Sequence, residues 1–370
     1  MTRLIVAAGG GGDAVAASVV GSALYGGGEP VVILTYAWDR LLVDPVPGPR
    51  GPGDFRGLSP LAPGVFAVTG GAEPVAPAGS TLPRLAEELP QTLALIDPRH
   101  GARGIGRQLD ELIRRLDPES VDLLDVGGDI LARGDEPTLR SPLADALTLA
   151  ACCQAEAPVR LLVAGPGLDG ELTAGELRGL LGRKVLTLSG EHVEPVARVL
   201  DWHPSEATAL LAATARGIRG LCEIRDAGLP VPLTDEGPTV HEVDLGAALE
   251  RNRPARAVAL TTTLEEAERL SRRICGFSEI DQERSKAARI EARPVREPGP
   301  DAVLAQVADF ESGARSRGVS HTTFRRLTEA LGLDGSRRES LRTLLIADSP
   351  KQYTAPLWHL ADPDRIPRDQ

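Results

Sequence analysis

The sequence predicts an α/β protein built on a doubly wound, mostly parallel Rossmann-like sheet, followed by a small helical C-terminal extension. Three observations predict it. Short apolar runs alternate with segments of helical texture from Leu4 onward, and several of these runs stop at glycine-rich or acidic turns. Beyond Arg293 the apolar runs cease and three helical segments follow. Parallel strands need crossovers, usually helical, and strands covered on both faces read as unbroken apolar runs.

The elements follow in order. Leu4 to Ala8 reads as a strand that ends at four glycines, and Asp13 to Tyr25 has the small apolar composition of a buried helix. Val31 to Thr35, Val65 to Val68 and Thr92 to Ile96 read as further strands, and Ile105 to Leu116 as an amphipathic helix. Pro45 to Pro63 is too rich in Pro and Gly for an element and reads as a long loop over the sheet edge. Val121 to Val126 is a strand running into Gly-Gly-Asp. Leu143 to Cys152 is a helix opened by Ser141-Pro142, a cap residue followed by proline at the first helical position. Arg160 to Ala164, Arg183 to Leu188 and Ala257 to Leu260 are the remaining strand candidates, with a helix at Ser205 to Ala215. Ala302 to Gly313, Thr322 to Leu331 and Glu339 to Ile346 read as the C-terminal helices, behind a linker near Glu297 to Pro300. This divides the chain into residues 1–295, carrying the site, and residues 301–370.

Composition narrows the function. Hydrophobic residues at 42% and charged residues at 25% are ordinary globular usage, which excludes a disordered or fibrous chain. The chain has only three lysines, Lys184, Lys286 and Lys351, so Schiff-base chemistry and a Walker-type phosphate loop have few positions to use. A net charge of -11 disfavours nucleic acid and anionic membrane surfaces as partners. The opening apolar run is too short for a signal peptide and no stretch approaches a membrane span, which predicts a cytoplasmic protein. Cys152, Cys153, Cys222 and Cys275 lack CxxC spacing and read as reduced and buried, and the six histidines form no HxH or HExxH.

Ligands of open parallel sheets bind beyond the carboxyl ends of the strands, where three polar turns fall. Gly9, Gly10, Gly11, Gly12 and Asp13 lie between strand and helix. Such glycines let amides approach a phosphate or carboxylate at a helix N-terminus, or simply make a tight turn. Asp125, Gly127, Gly128 and Asp129, with Glu136, Ser141 and Asp145 downstream, place carboxylates where they would serve as acid and base or bind Mg2+, against the plain reading of a solvated turn. Gly165 to Glu171 repeats the theme with Asp169 and Glu171.

His203 stands just before a helix start with Glu206 behind it, and is read as a catalyst or as a surface or capping residue. Glu223 and Arg225 read as a structural ion pair or a ligand clamp, and Thr261 to Thr263 as hydroxyls closing a strand or capping a helix. Ser278, Glu279, Asp281 and Glu283 gather carboxylates in one short stretch.

Taken in order, GGGGD, Asp97-Pro98, DVGGD, SPLAD from Ser141 to Asp145, DGEL from Asp169 to Leu172, HPSE from His203 to Glu206, and SEID are similar to the domain of unknown function 1152 family. The resemblance spans roughly Leu4 to Glu283 and implies a Rossmann-like α/β fold without a named reaction. The family usually has Thr at the place of Ser278.

Three functions remain open. The leading one is a small-molecule metabolic enzyme that holds a nucleotide or phosphorylated ligand at Gly9 to Gly12, with Asp13, Asp125, Asp129 and Glu279 as acid, base or Mg2+ ligands. The second is an enzyme whose acidic cluster holds a cationic amine or guanidine, with NAD beside it and Tyr36 and Trp38 as an aromatic wall. The third is a non-catalytic sensor or scaffold, with a faint helix-turn-helix texture at Gly318 to Leu333 and Arg325 and Arg326 on one face. The oligomeric state and the use of a metal stay open.

Overall fold

The computed structural model describes residues 2–292 and 298–360. The strands of its main sheet and of a second, smaller sheet are β1 (Arg3–Ala7), β2 (Val31–Thr35), β3 (Ser59–Ala62), β4 (Val65–Val68), β5 (Thr92–Leu95), β6 (Ser120–Val126), β7 (Val159–Ala164), β8 (Lys184–Thr187), β9 (Gly220–Ile224), β10 (Leu229–Leu233), β11 (Thr239–Val243), β12 (His321–Thr322), β13 (Tyr353–Thr354) and β14 (Leu357–His359). The main helices are α1 (Gly11–Tyr25), α2 (Leu82–Glu88), α3 (Gly101–Leu116), α4 (Pro142–Cys152), α5 (Glu206–Ala215), α6 (Arg253–Val258), α7 (Leu264–Cys275), α8 (Glu279–Glu291), α9 (Pro300–Ser316), α10 (Phe324–Ala330) and α11 (Arg338–Asp348).

The nine-stranded main sheet is mixed, in the order β8-β11-β7-β6-β1-β2-β5-β4-β3. Its central strands β7-β6-β1-β2-β5 are parallel, while both flanks are antiparallel. The chain leaves β1 towards β2 and β5, then crosses back to β6 and β7. Strand order therefore reverses between β1 and β6, which is where an open α/β sheet leaves a crevice at its carboxyl edge.

Helices cover both faces. Ile5 and Ala7 of β1 pack with Ala14, Val15 and Val19 of α1, whereas Leu4 and Val6 point the other way, into a core with α3 and α4. In α3, Ile105, Leu109 and Leu112 form the apolar stripe, and every residue of α4 is buried. α4 packs on β6 beside the reversal, whereas α3 reaches towards the edge strands β3 and β4.

Three expectations are corrected. Ala257 to Leu260 is not a strand: residues 253–258 form α6, since a short apolar run has the same texture in either state. The stretch from Pro45 to Pro63 is not all loop, because β3 supplies the edge strand of the sheet. Thr261 to Thr263 close no strand: Thr261 Oγ1 accepts a hydrogen bond from the Ala102 amide, and Thr263 caps α7.

The expected C-terminal helices are α9, α10 and α11, but the region also carries strands. A five-stranded sheet of order β10-β9-β12-β14-β13 joins residues 220–233 to residues 321–359, across the expected linker, which lies partly outside the described residues. A third core of Val303, Val307, Phe324, Leu327, Leu341 and Trp358 holds the region together. Arg326 is committed to Glu223 and Arg325 to Glu206 and Glu329, so neither guanidinium forms a free basic face. Cys152 and Cys222 are buried, Cys153 and Cys275 partly exposed, and all four are free thiols. Among the described residues no helix is long and apolar enough to cross a membrane.

Candidate functional site

The crevice at the strand-order reversal is lined by residues far apart in sequence. Gly9 to Asp13 follow β1, Asp129 follows β6, and Asp169 and Glu171 follow β7. Ser141 and Asp145 open α4, His203 to Glu206 open α5, Trp38 to Arg40 follow β2, Glu279 opens α8, and Arg325 comes from α10. Asp125, near the end of β6, lies just beneath. Its carboxylate groups with those of Asp13 and Asp145, and a second group joins Asp129, Asp169 and Glu171. Within each group the ligand oxygens all lie within 4.8 Å of one another.

Local structure explains why these acids converge. Ser141 stands at the start of α4 yet makes no capping bond. Its hydroxyl instead donates to Glu171, by a short hydrogen bond, and lies 3.4 Å from Asp129 Oδ2. Glu171 also accepts from the Arg140 and Ser141 amides at 2.7 and 3.1 Å and pairs with the Arg225 guanidinium at 2.8 Å. Arg225 holds a left-handed backbone, φ 61°, which a bulky residue rarely adopts. The Glu206 carboxylate fixes it there, accepting from the Arg225 amide at 3.0 and 3.1 Å.

Burial and mutual repulsion dominate the electrostatics. Two unit charges at 4.8 Å repel by about 3 kcal/mol at an effective dielectric of 20. Burial pushes Asp13 and Asp169 up to about 7. Burial and then Glu283 push Glu279 up to about 8. Asp125, Asp129 and Asp145 stand well above the usual carboxylate range, by burial first and neighbouring acids second. Glu171 is the exception: against its burial, Arg225 and the hydrogen bonds from Ser141 and Arg140 hold it low.

Five buried polar atoms of the site have no protein partner: Asp125 Oδ2, Asp145 Oδ1, Asp169 Oδ2, Glu279 Oε2 and His203 Nε2. Such atoms are costly unless a ligand or solvent satisfies them. Burial and then Arg338 push His203 down to about 3, so its ring is neutral. Because Nδ1 accepts from the Ser205 amide at 3.2 Å, the ring proton sits on Nε2. The unpartnered nitrogen is a neutral donor.

Of the residues expected from sequence, the structure brings Gly9 to Asp13, Asp129, Asp169, Glu171, His203, Glu206 and Glu279 into the crevice wall. Others serve packing. Gly127 and Gly128, at φ 117° and 104°, let Asp169 and Leu177 press against the turn, and neither lines the crevice. Ser278 and Asp281 form the capping box of α8, and Asp281 also lines the wider space outside the crevice. Ser278 donates to Glu268, and Arg272 holds the Asp281 carboxylate well below its usual range. Glu206 faces the crevice with its oxygens already engaged, so it acts by positioning Arg225.

The glycine turn is also more closed than its sequence suggests. The Gly9 amide donates to Asp13 at 2.8 Å, and a Cβ on Gly10 or Gly12 would lie 2.4 Å from the Trp38 carbonyl or 2.2 Å from Ser205 Oγ. Sequence reasoning missed Arg40, read Arg325 only as part of a helix-turn-helix texture, gave Arg225 as a structural ion pair or a ligand clamp, and placed Asp145 only downstream of the Asp125 to Asp129 turn.

The inner crevice, about 100 Å³, has room for ions, a few waters or a small reacting group. It opens past Arg40, Glu171, Arg225, Glu279 and Arg325 into an outer basin of about 710 Å³, large enough for the body of a small-molecule ligand. The basin carries Arg140, Lys286 and Arg289 as well. Lys286 pairs with Asp226 and Glu329, whereas Arg40, Arg140 and Arg289 are exposed and make no ion pair among the described residues. An acidic floor thus lies below a cationic rim.

No curated protein and no solved structure matches the chain. The sequence pattern of one family, described as "Protein of unknown function (DUF1152)", matches residues 4–287, from β1 into α8 and across every crevice residue except Arg325. The chain belongs to that family.

Proposed function

We propose that this protein is a small-molecule metabolic enzyme whose reaction centre is the acidic crevice and whose substrate is a phosphorylated compound, nucleotides included. The observation that carries this reading is the convergence of five buried, unpartnered polar atoms at the strand-order reversal. A folded chain keeps such atoms where a ligand satisfies them. The inner space is too small for a nucleotide, so the body of the ligand occupies the outer basin. There Arg40, Arg140 and Arg289 receive its anionic group. The reacting end reaches the floor, where the carboxylates act as acid, base or cation ligands. Glu279, neutral at pH 7, is positioned as a proton donor, and His203 Nε2–H as a hydrogen-bond donor.

A second reading, a cationic amine or guanidine substrate, is favoured by the same acidic floor, with Trp38 in its wall. Tyr36 cannot share that wall, since it is fully buried with its hydroxyl bonded to the Ala144 carbonyl. Thermal-shift measurements with panels of nucleotides and sugar phosphates, and of polyamines and guanidines, separate the two. Phosphorylated compounds are expected to raise the melting temperature, and an Arg40→Ala, Arg289→Ala double variant to weaken that response at least tenfold in half-saturating concentration. Stabilisation by amines alone would overturn the first reading in favour of the second.

A further inference from the structure

We propose that the crevice floor is a two-cation site: Asp13, Asp125 and Asp145 hold one divalent ion, and Asp129, Asp169 and Glu171 a second. The inference rests on the reading of the crevice as a reaction centre and adds its cofactor. Each group gathers three carboxylate oxygens within 4.8 Å of one another, the spread expected around an ion with oxygen ligands at ~2.1 to 2.4 Å.

Clustered acids alone would not make a site. Here each group also contains a carboxylate oxygen that is buried and unpartnered: Asp125 Oδ2 and Asp145 Oδ1 in the first, Asp169 Oδ2 in the second. These residues are 1%, 4% and 9% exposed, so bulk water does not serve them. All six donors are carboxylates, and neither group contains a His or Cys. That donor chemistry selects a hard ion of the magnesium, manganese or calcium kind over zinc or copper.

Charge points the same way. Among the six carboxylates only Glu171 has a cationic side chain in contact, Arg225. Two divalent ions would bring the floor close to neutrality, whereas one would leave it strongly anionic. Asp13 and Asp145 of the first group and Asp129, Asp169 and Glu171 of the second line the same crevice, so the two groups adjoin. In such a pair the ions would share the anionic end of a substrate whose remaining charge meets the arginines of the outer basin.

The test is titration of EDTA-stripped, full-length protein with Mn2+ alone, followed by the loss of the free-ion electron paramagnetic resonance signal and by calorimetry. Two Mn2+ per chain are expected, with Mg2+ competing. Asp145→Asn and Asp169→Asn should each reduce the count to one, and the double variant to none. Circular dichroism melts establish that the variants are folded, which is expected because each removes a buried charge. No binding at millimolar Mn2+, a single ion in the unaltered chain, or a count of two in both single variants would overturn the proposal. So would stabilisation by spermidine without Mn2+ uptake. Failure here leaves the enzyme reading standing if nucleotides or sugar phosphates still raise the melting temperature of the stripped protein. Two bound Mn2+ without any response to phosphorylated compounds has the opposite meaning.

Discussion

Glu279 shows how one residue can record a function in its energetics. Its carboxyl is 7% exposed at the start of α8, with Oε2 unpartnered, and burial followed by the nearby Glu283 pushes it from 4.5 up to about 8. A carboxyl whose folded value is raised contributes its full share of stability below pH 4.5, and that share is lost as pH climbs to about 8. At neutral pH the unfolded chain releases this proton and the folded chain retains it. At pH 7.5 the group therefore costs roughly 2 to 4 kcal/mol, at about 1.4 kcal/mol per pH unit. Glu279→Gln should raise the midpoint of thermal unfolding at pH 7.5 in EDTA and leave it unchanged at pH 4. Equal stability of the two proteins at pH 7.5 would mean that the carboxyl ionises freely, removing it as a proton donor.

At the scale of elements, the crevice depends on how closely two helix starts approach. Ser205 caps α5, Thr208 donates from its hydroxyl to the Gly12 carbonyl at 2.8 Å, and a Cβ on Gly12 would sit 2.5 Å from the Ser205 Cβ. Gly12 therefore lets the starts of α1 and α5 touch, which brings His203 over the crevice. Gly12→Ala should cost about 1 to 3 kcal/mol through overpacking. Gly28→Ala, in a turn with nothing within 4 Å, should change stability little. Matching losses in melting experiments would show that the contact at Gly12 is slack.

Element texture also explains what the sequence disclosed and what it hid. β1 and β2 were legible because strands buried on both faces are nearly unbroken apolar runs, β6 was legible in spite of Asp122 and Asp125 within it, and the acids beside the turns after β1, β6 and β7 marked the site. β9, β10 and β11 carry Glu223, Pro230 and Pro232, and Glu242 inside short antiparallel ladders, so no apolar run announces them. Arg40, Arg225 and Arg325 reach the crevice only through tertiary folding, and the spacing of acids and glycines along the chain says nothing about them.

The whole molecule is tied together where its second sheet meets the crevice. β9 pairs with β12, matching Cys222 to His321 and Glu223 to Thr322. One turn away, Glu206 accepts from the Thr323 hydroxyl at 2.5 Å and pairs with Arg325 at 3.4 Å while fixing the Arg225 backbone. A single buried carboxylate thus links α5, the turn after β9 and the start of α10, and through Arg325 the C-terminal region becomes part of the crevice wall. Sharing a sheet and a buried ion network across residues 220–359 couples the unfolding of the two regions. The full-length chain should therefore melt in one transition by circular dichroism and calorimetry. Glu206→Ala leaves Arg325 and the Arg225 amide without this partner, and breaking a buried pair of this kind typically costs about 3 to 5 kcal/mol. It should move that transition down as a unit. Two resolved transitions, with Glu206→Ala lowering only one of them, would show instead that the C-terminal region folds on its own and reaches the crevice by docking.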